Sequence, residues 1–600
     1  MVGGMLYFTG SQANVYAVDA ASGKVAWTYD PQTWKVNPAK LHFSFAANRG
    51  LAFEDGRVFG AALDGRLYAL DAKTGKELWV TKTVADGDLH ISTGARGYVT
   101  AYDTATGKQL WRFYTVPGTP EQNAGDPAME MAAKTWDGEY WKTGTGATVW
   151  NGMTFDREAN RIYIGVGNAG PYDPRLRSPG GGDNLFTSGI VALDADTGTY
   201  LWHYQQNPLD AWDYKATPNM VLATLEIDGK PYKVLMHAPT NGFFYVLDRF
   251  YVLDRDTGKL VNQPGKTTKI TWATGIDMET GRPIENPDIR YESGSTEIWP
   301  GTIGGHNWQA MSYSPRTGLV YIPVHQVGAR FTRSTENRDE AFNVMGLLVE
   351  SIEPADEDDG KGYLVAWDPV AQKRAWQVRH DFIWNGGTLA TAGGLVFQGL
   401  ADGWFKAFDA KTGKEVWKFD AGLGIIAAPM SFSLNGKQYV SVLTGWGGTA
   451  AAMAPVLNVG WKYGQQPRRL LTFALDGKGR LEPTPPRDMK VYALDDPDLV
   501  LNEADVAAGR ALSVQCAACH GVGFHSAGAP GPDLRESAIA LDPASFTTLL
   551  REAPLLDRGM PRFERLSDAE IRALHAFIRA RAREALGKRK PSGPAPNARL

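Results

Sequence analysis

LYALDAKTGKELW (residues 67–79) reads as two short strands around a turn: an alternating apolar run, Asp-Ala-Lys-Thr-Gly-Lys, then a second run ending in tryptophan. Alternation suits a half-buried strand, and Asp and Gly at fixed offsets suit a hairpin. The chain repeats the phrase as VYAVDAASGKVAW (15–27), VTAYDTATGKQLW (99–111), IVALDADTGTYLW (190–202), FYVLDRDTGKLV (250–261), LVAWDPVAQKRAW (364–376) and FKAFDAKTGKEVW (405–417). A recurring hairpin whose aromatic docks on the next unit predicts a β-propeller, with stacked sandwiches as the competing all-β reading. The 67 glycines and 19 tryptophans among 600 residues fit many short strands and tight turns.

Two intervals break the rhythm. A blade of four strands needs roughly 40–50 residues, but Trp79 and Trp111 stand only 32 residues apart. Two strands are therefore expected to be missing from one blade. At 244–255 the hexapeptide FYVLDR is written twice in tandem. Six is an even number, so the alternation of faces survives, and the extra segment must bulge out or lengthen the strand.

The propeller is expected to span residues 1–475, followed by a Pro- and Asp-rich linker at 476–500. Helical patterning then begins, predicting an all-α domain at 501–585 and a disordered tail at 586–600. Ser567 and Glu570 form a capping box for a last helix with Ile571, Leu574, Phe577 and Ile578 on one face. Net charge is only -4 with 21% charged residues, which gives no reason to expect nucleic acid or an anionic membrane as partner. No apolar run reaches the roughly 18 residues of a transmembrane helix.

Both cysteines lie in QCAACHGVGF (515–524). Cys516-x-x-Cys519-His520 is the attachment pattern of a c-type haem: the thiols add to the porphyrin vinyls and the imidazole binds iron. Zinc would need further ligands, for which His525 is the nearest candidate, and a redox dithiol is the third reading. The preceding helix, the GPDL turn (531–534) and GMPRF (559–563) favour haem, with Met560 as the sixth iron ligand and His575 as an ordinary helix-surface residue. A His/Met pair leaves no open position and suits electron transfer. Covalent haem attachment implies assembly outside the cytoplasm, so the absence of an export signal before MVGGMLYFTG is read as a late start of the chain.

A propeller followed by a small cytochrome resembles the pyrroloquinoline quinone (PQQ)-dependent quinohaemoprotein alcohol dehydrogenases. The resemblance runs through NRG (48–50), GDNLF (182–186), WDY (212–214), HNW (306–308), WNGG (384–387), GWGG (445–448) and the haem motif. It implies an eight-bladed propeller with one blade incomplete, PQQ in its central channel, a bound Ca²⁺, and a periplasmic location. It further implies that Arg49 pairs with the quinone's acidic groups, a task suited to a guanidinium. Thr148 and Trp150 resemble a hydroxyl donor and an indole floor, and Asn307 and Trp308 further quinone contacts. Asn168 resembles a calcium ligand; Asp213 resembles the catalytic base beside the metal, taking the alcohol proton as hydride moves to the quinone. Electrons would leave through haem c to an external acceptor such as a cytochrome, a copper protein or a quinone-linked complex. Blander readings stand beside these: Trp150 as a blade-docking residue and Asn168 as a turn cap.

The chain also departs from that pattern. The glutamate calcium ligand expected before Arg96-Gly97-Tyr98 is absent, a quinone-binding threonine of that region has no clear match, and a further quinone-binding glutamate would precede Met1. Phe43-Ser44 replaces the adjacent-cysteine pair of many members, and Phe45 replaces an acid. Thr240 stands in HAPxNG where a lysine or arginine is expected, while Lys215 follows Asp213 by two residues. Lys215 is expected to replace the lost positive charge near the quinone or metal, and it disfavours a lanthanide site. Two alternatives remain beside oxidation of a small alcohol: a catalytically impaired electron-transfer protein, and a relative acting on polyols, sugars or polymeric alcohols. Residues 324–361 are read as a candidate lid, with plain surface packing as the alternative.

Overall fold

The computed structural model describes residues 1–10, 13–33, 48–62, 64–84, 96–142, 146–248, 259–333, 346–445, 468–482, 490–526, 529, 531–556, 560–564 and 566–587. Phe43, Ser44, Phe45, most of the 80–97 interval, the GWGG segment after Gly445 and the tail from 588 lie outside them. The chain divides into two compact units, one of Met1–Asp30, Asn48–Gly445 and Arg468–Leu481, the other containing Glu482–Leu600.

The first unit is built of antiparallel sheets. Among the described residues five of them have the four antiparallel strands expected of a blade, for example Ala52–Glu54, Arg57–Ala61, Arg66–Asp71 and Glu77–Lys82. In the short interval the described residues form a two-strand sheet, Tyr98–Tyr102 and Gln109–Tyr114, and the stretch at 85–95, where further strands of the blade would lie, is outside them. Within 324–361, Ala329–Arg333 pairs with Ser295–Ile298 on one side and Leu347–Ser351 on the other in a separate three-strand sheet.

The sequence repeat is a hydrogen-bond repeat. In the Asp-x-x-Thr turns the Asp carboxylate accepts from the backbone N–H and hydroxyl of the Thr three residues on: 2.8 and 2.7 Å at Asp71–Thr74, and likewise at Asp103–Thr106; Ser22 takes that place on Asp19, and Ala371 gives Asp368 the backbone bond alone. Those bonds hold the Asp71 and Asp103 carboxyls below their ordinary range. A register shift precedes each Asp, between Ala69 and Leu70, Ala101 and Tyr102, and Ala407 and Phe408. Such a bulge re-aims the strand end into the turn.

The terminal tryptophan of one repeat docks on the turn of the next. Trp27 Nε1 donates to Ala72 O at 3.0 Å, Trp79 to Thr104 O at 3.1 Å, and Trp111 to Ala195 O at 3.2 Å. The turn glycine is required beneath the indole: Gly107 has φ +70°, and a Cβ there would fall 2.6 Å from Trp79. The two-strand unit thus keeps both docking contacts. The hairpin of the short interval is therefore complete among the described residues.

Of the duplicated hexapeptide, the first copy runs into strand Phe243–Asp248 and ends it at Asp248; the second copy, and most of the repeat read at 250–261, lie outside the described residues. Asp248 N bonds Lys259 O at 3.0 Å, as Asp71 N bonds Lys76 O at 2.8 Å in the regular repeat.

In the second unit Gly509 on helix Glu503–Leu512 lies against helix Asp568–Gly587, where a Cβ would run into Ala573 O and Phe577. The capping box is present: Ser567 N donates to Glu570 Oε2 at 2.7 Å, and Glu570 N donates to Ser567 Oγ at 3.2 Å. Ile571, Leu574, Phe577 and Ile578 enter its core with Phe524, Phe546 and Leu550. The second half of the expected linker is packed rather than free, since Leu494 O accepts from buried Arg579 and Asp495 pairs with Arg583 at 2.7 Å. His575 is buried, at 7% exposure, not on the helix surface. Among the described residues no helix is long and apolar enough to cross a membrane.

Candidate active site

Three of the expected cofactor residues converge. The Arg49 guanidinium lies 4.3 Å from the Trp308 ring centre and 5.4 Å from that of Trp150. Arg49 is exposed, yet enough protein surrounds it that desolvation brings its guanidinium down to about 10. Both hold for a side chain that lines a wet cleft. Trp150 and exposed Thr148 follow the segment whose Ala147 N bonds Asn168 O at 2.8 Å, and Gly167 N bonds Thr148 O at 3.0 Å. Residues 147–150 and 166–169 are thereby tied side by side.

Asn307 bonds within its own loop through one N–H and its oxygen: its Nδ2 donates to Ile303 O at 2.8 Å and its Oδ1 accepts from Trp308 N at 2.9 Å. It sets the pose of Trp308. The next ring, Trp384, meets Trp308 edge-on at 6.2 Å and stacks on His325 at 5.1 Å. The indole N–H groups of Trp308 and Trp384 and both side-chain polar atoms of Gln309 are buried without hydrogen-bond partners among the described residues. Buried polar groups are ordinarily paired, so this cluster fits a site that takes a polar ligand.

Asp213 sits on a loop pinned by its neighbours. Trp212 and Tyr214 are fully buried and pack on Trp272 at 5.3 and 5.5 Å, and Tyr214 donates to Pro300 O at 2.6 Å. Asp213 itself adopts φ +66°, in the left-handed region that Asp tolerates better than most residues. Its carboxylate lies 2.8 Å from Lys215 Nζ and accepts from the Tyr172 hydroxyl. Burial raises the Asp213 carboxyl, while Lys215 and the Tyr172 bond pull it back. Nearby Asp210 is fully buried, and burial raises it to about 6 although Arg177 opposes the rise. Thr240 touches this loop: its Oγ1 accepts from Lys215 N at 2.7 Å.

Tyr172, Asp210, Trp384, His325 and Gln309 were not singled out from the sequence. Only Asp210 carried a signal, as a second carboxylate three residues before Asp213; the others come from distant segments.

Helix Val514–His520 carries both free cysteines, and Cys516 and Met560 each pack against the helical core. His520 Nδ1 faces Pro532 O at 2.7 Å, which makes Nδ1 the donor and leaves Nε2 unprotonated, the state a metal-binding imidazole needs. Gly531 permits this approach, since a Cβ would fall 2.7 Å from the His520 ring. Among the described residues no third His, Cys, Asp or Glu gathers with two others into a metal cluster, so zinc lacks its ligands. The donor set fits haem.

PQQ, flat and polyacidic, fits the Arg49 cation, the two indole faces and the unpaired N–H groups. For calcium, Asn168 and Asp213 offer the oxygen chemistry it takes, but the Asp213 carboxylate is filled by Lys215. The described residues do not accommodate a divalent ion while that ammonium stays in place.

Residues 1–80, 77–263 and 365–440 match the family described as "Glucose/ethanol/alcohol dehydrogenase, beta-propeller domain". Residues 504–578 match "Cytochrome C oxidase, cbb3-type, subunit III". Quinohemoprotein alcohol dehydrogenase ADH IIB of Pseudomonas putida is 44% identical over 98% of this chain and 87% of its own length. The solved structure of quinohemoprotein alcohol dehydrogenase ADHIIG from Pseudomonas putida HK5 superposes with a TM-score of 0.87 at 40% identity, covering 98% of this chain and 89% of that one. That of the quinohemoprotein alcohol dehydrogenase from Comamonas testosteroni gives 0.83 at 38%, covering 98% and 89%.

Proposed function

The chain belongs to the quinohaemoprotein alcohol dehydrogenases, a propeller oxidoreductase joined to a cytochrome c domain, and from that premise we propose the role of each residue in its site. Arg49 binds the acidic edge of PQQ, Trp150 and Trp308 present flat faces to it, and Thr148 offers a hydroxyl donor. Asn307 holds Trp308 in position and keeps one amide N–H for the quinone. When bound, PQQ supplies the hydride acceptor and passes electrons on singly to haem c.

Asp213 takes the proton of the alcohol hydroxyl. Its burial makes the carboxylate a stronger base than one in water, and the Lys215 ammonium keeps it ionised so that it can accept. Trp212 and Tyr214 anchor the loop so that this carboxylate is held at a fixed place, which shortens the search for a reactive geometry. Cys516 and Cys519 would carry the haem, and His520, through Nε2, and Met560 would be the ligands to its iron. We place the protein in an exported compartment, the periplasm, with a small alcohol as substrate and an external electron acceptor of the cytochrome, copper-protein or quinone-linked class. Ca²⁺ is proposed on Asn168 and Asp213 only under the condition that Lys215 sets. The domain bounds we propose are 1–475 for the propeller and 501–585 for the cytochrome.

The convergence of Arg49, Trp150 and Trp308 on one cleft carries this reading. The test is to load the haem-bearing protein with PQQ, add ethanol and follow the haem absorption bands. Reduction that requires both additions is expected; an oxidised haem with PQQ bound and ethanol present would overturn the catalytic assignment.

A further inference from the structure

The ammonium of Lys215 is almost fully enclosed, its side chain 10% exposed and that of Asp213 15%. Three oxygens surround Nζ: Asp213 Oδ2 at 2.8 Å, Asp213 O at 2.7 Å and Thr302 O at 3.5 Å. An ammonium has three N–H donors and no acceptor, so this cage uses all of them. One carboxylate and two carbonyl oxygens are also the ligand types that calcium selects. The lysine therefore does not stand beside a vacant cation place. It fills one.

The backbone reinforces the pose. Lys215 N donates to Thr240 Oγ1 at 2.7 Å, Thr240 Oγ1 returns a bond to Lys215 O at 3.1 Å, and Thr240 N approaches the same oxygen at 3.3 Å. With its stem fixed and Nζ on both the side chain and main chain of Asp213, Lys215 has little freedom to share that carboxylate with a second cation. An ion of charge +2 on Asp213 would face an ammonium within a few ångströms in a poorly solvated site, where like charges repel strongly.

We propose that Lys215 is an internal cation that competes with divalent metal for Asp213, so that calcium binds only by displacing its ammonium and binds weakly for that reason. This rests on the reading of Asp213 as the active-site carboxylate. Lys215 acts through Asp213 and is a positioning residue.

Calcium chloride titrated calorimetrically into metal-stripped, haem-bearing protein tests it. Lys215→Gln, which keeps N–H donors for the two carbonyls, is expected to bind calcium at least about ten-fold more tightly than wild type, roughly 1.4 kcal/mol. Lys215→Arg, which keeps the charge, is expected to stay within a few-fold of wild type. Equal or weaker binding by Lys215→Gln, or tightening by Lys215→Arg as large as that by Lys215→Gln, overturns the proposal. A measurement free of variants guards against misfolding: acetic anhydride labelling of wild type, read by mass spectrometry. Lys215 is expected to be protected without calcium and to become labelled at saturating calcium, and protection unchanged with calcium bound overturns the displacement. Neither readout uses turnover, so loss of ethanol-driven haem reduction would count against the catalytic reading and leave the competition to be judged on binding.

Discussion

The Arg49 guanidinium lies 4.3 Å from the centre of the Trp308 indole, and the two residues are 259 positions apart in the chain. A cation on an aromatic face, partly desolvated, contributes on the order of 0.5–2 kcal/mol. It also presents its edge donors to a planar acid. Arg49→Lys keeps the charge and loses the planar fork, so PQQ affinity should fall by about ten-fold, and Arg49→Ala should lose considerably more. Titration of PQQ into apoprotein, followed by quenching of tryptophan fluorescence, measures both.

Asp213→Asn removes the proton acceptor and leaves the loop anchored by Trp212 and Tyr214. Ethanol-dependent haem reduction should slow by roughly 10²–10⁴-fold with PQQ still bound. Burial raises this carboxyl, and the basic form is the ionised one. Wild-type kcat should therefore fall as pH drops through that raised value, at a pH above the ordinary carboxylate range, and stopped-flow pH profiles would reveal the limb.

Asp210 offers a stability test. Its carboxyl is raised from 3.8 to about 6 by burial, so the native state holds the proton longer than the unfolded state. Its contribution to stability is greatest below about pH 4 and is lost as pH rises through about 6, a change of order 3 kcal/mol. Asp210→Asn, which resembles the protonated acid, should match wild type near pH 4 and exceed it at pH 8. Thermal or denaturant unfolding at the two pH values decides it.

Gly531→Ala puts a methyl group 2.7 Å from the His520 ring, too close to be accommodated without moving it. The His520–Pro532 bond should break, with a lowered haem yield or an altered low-spin absorption spectrum. Met560→Ala should instead leave the haem attached, open the sixth position to carbon monoxide and lower the reduction potential. Spectral titration with carbon monoxide separates the two.

Gly107→Ala strains a residue at φ +70° and drives a methyl group into Trp79. It should destabilise the propeller by roughly 1–3 kcal/mol, whereas Gly56→Ala, also at positive φ but with no atom within 4 Å, should cost less. Denaturant midpoints compare them.

The repeats were legible because the Asp71–Thr74 turn, the bulge before it and the turn glycine Gly75 all arise within one short window of chain. The haem site was legible for the same reason: Cys516, Cys519 and His520 share a single helix. Either FYVLDR copy suits a strand locally, and the pairing of the first with Val234–His237 is a contact that no local pattern announces. His575 was misread because helix periodicity places a face but does not say what packs on it.

The amino-acid sequence by itself determined the propeller repeat, its shortened unit and the haem anchor, since turn geometry and covalent attachment depend on neighbours in the chain. It also named Arg49, Trp150, Trp308 and Asp213 one at a time. Only the tertiary structure decided that the first three share a cleft, that Tyr172 and Thr302 help enclose Asp213 and Lys215, and that Thr240 braces the lysine. Those contacts join loops from separate sheets, and hydrogen bonds and ion pairs between them depend on where each strand ends in space. The Lys215 ammonium on Asp213 is such a case: two residues apart in sequence, the pair becomes a filled cation place only when Thr302, 87 positions away, closes over it.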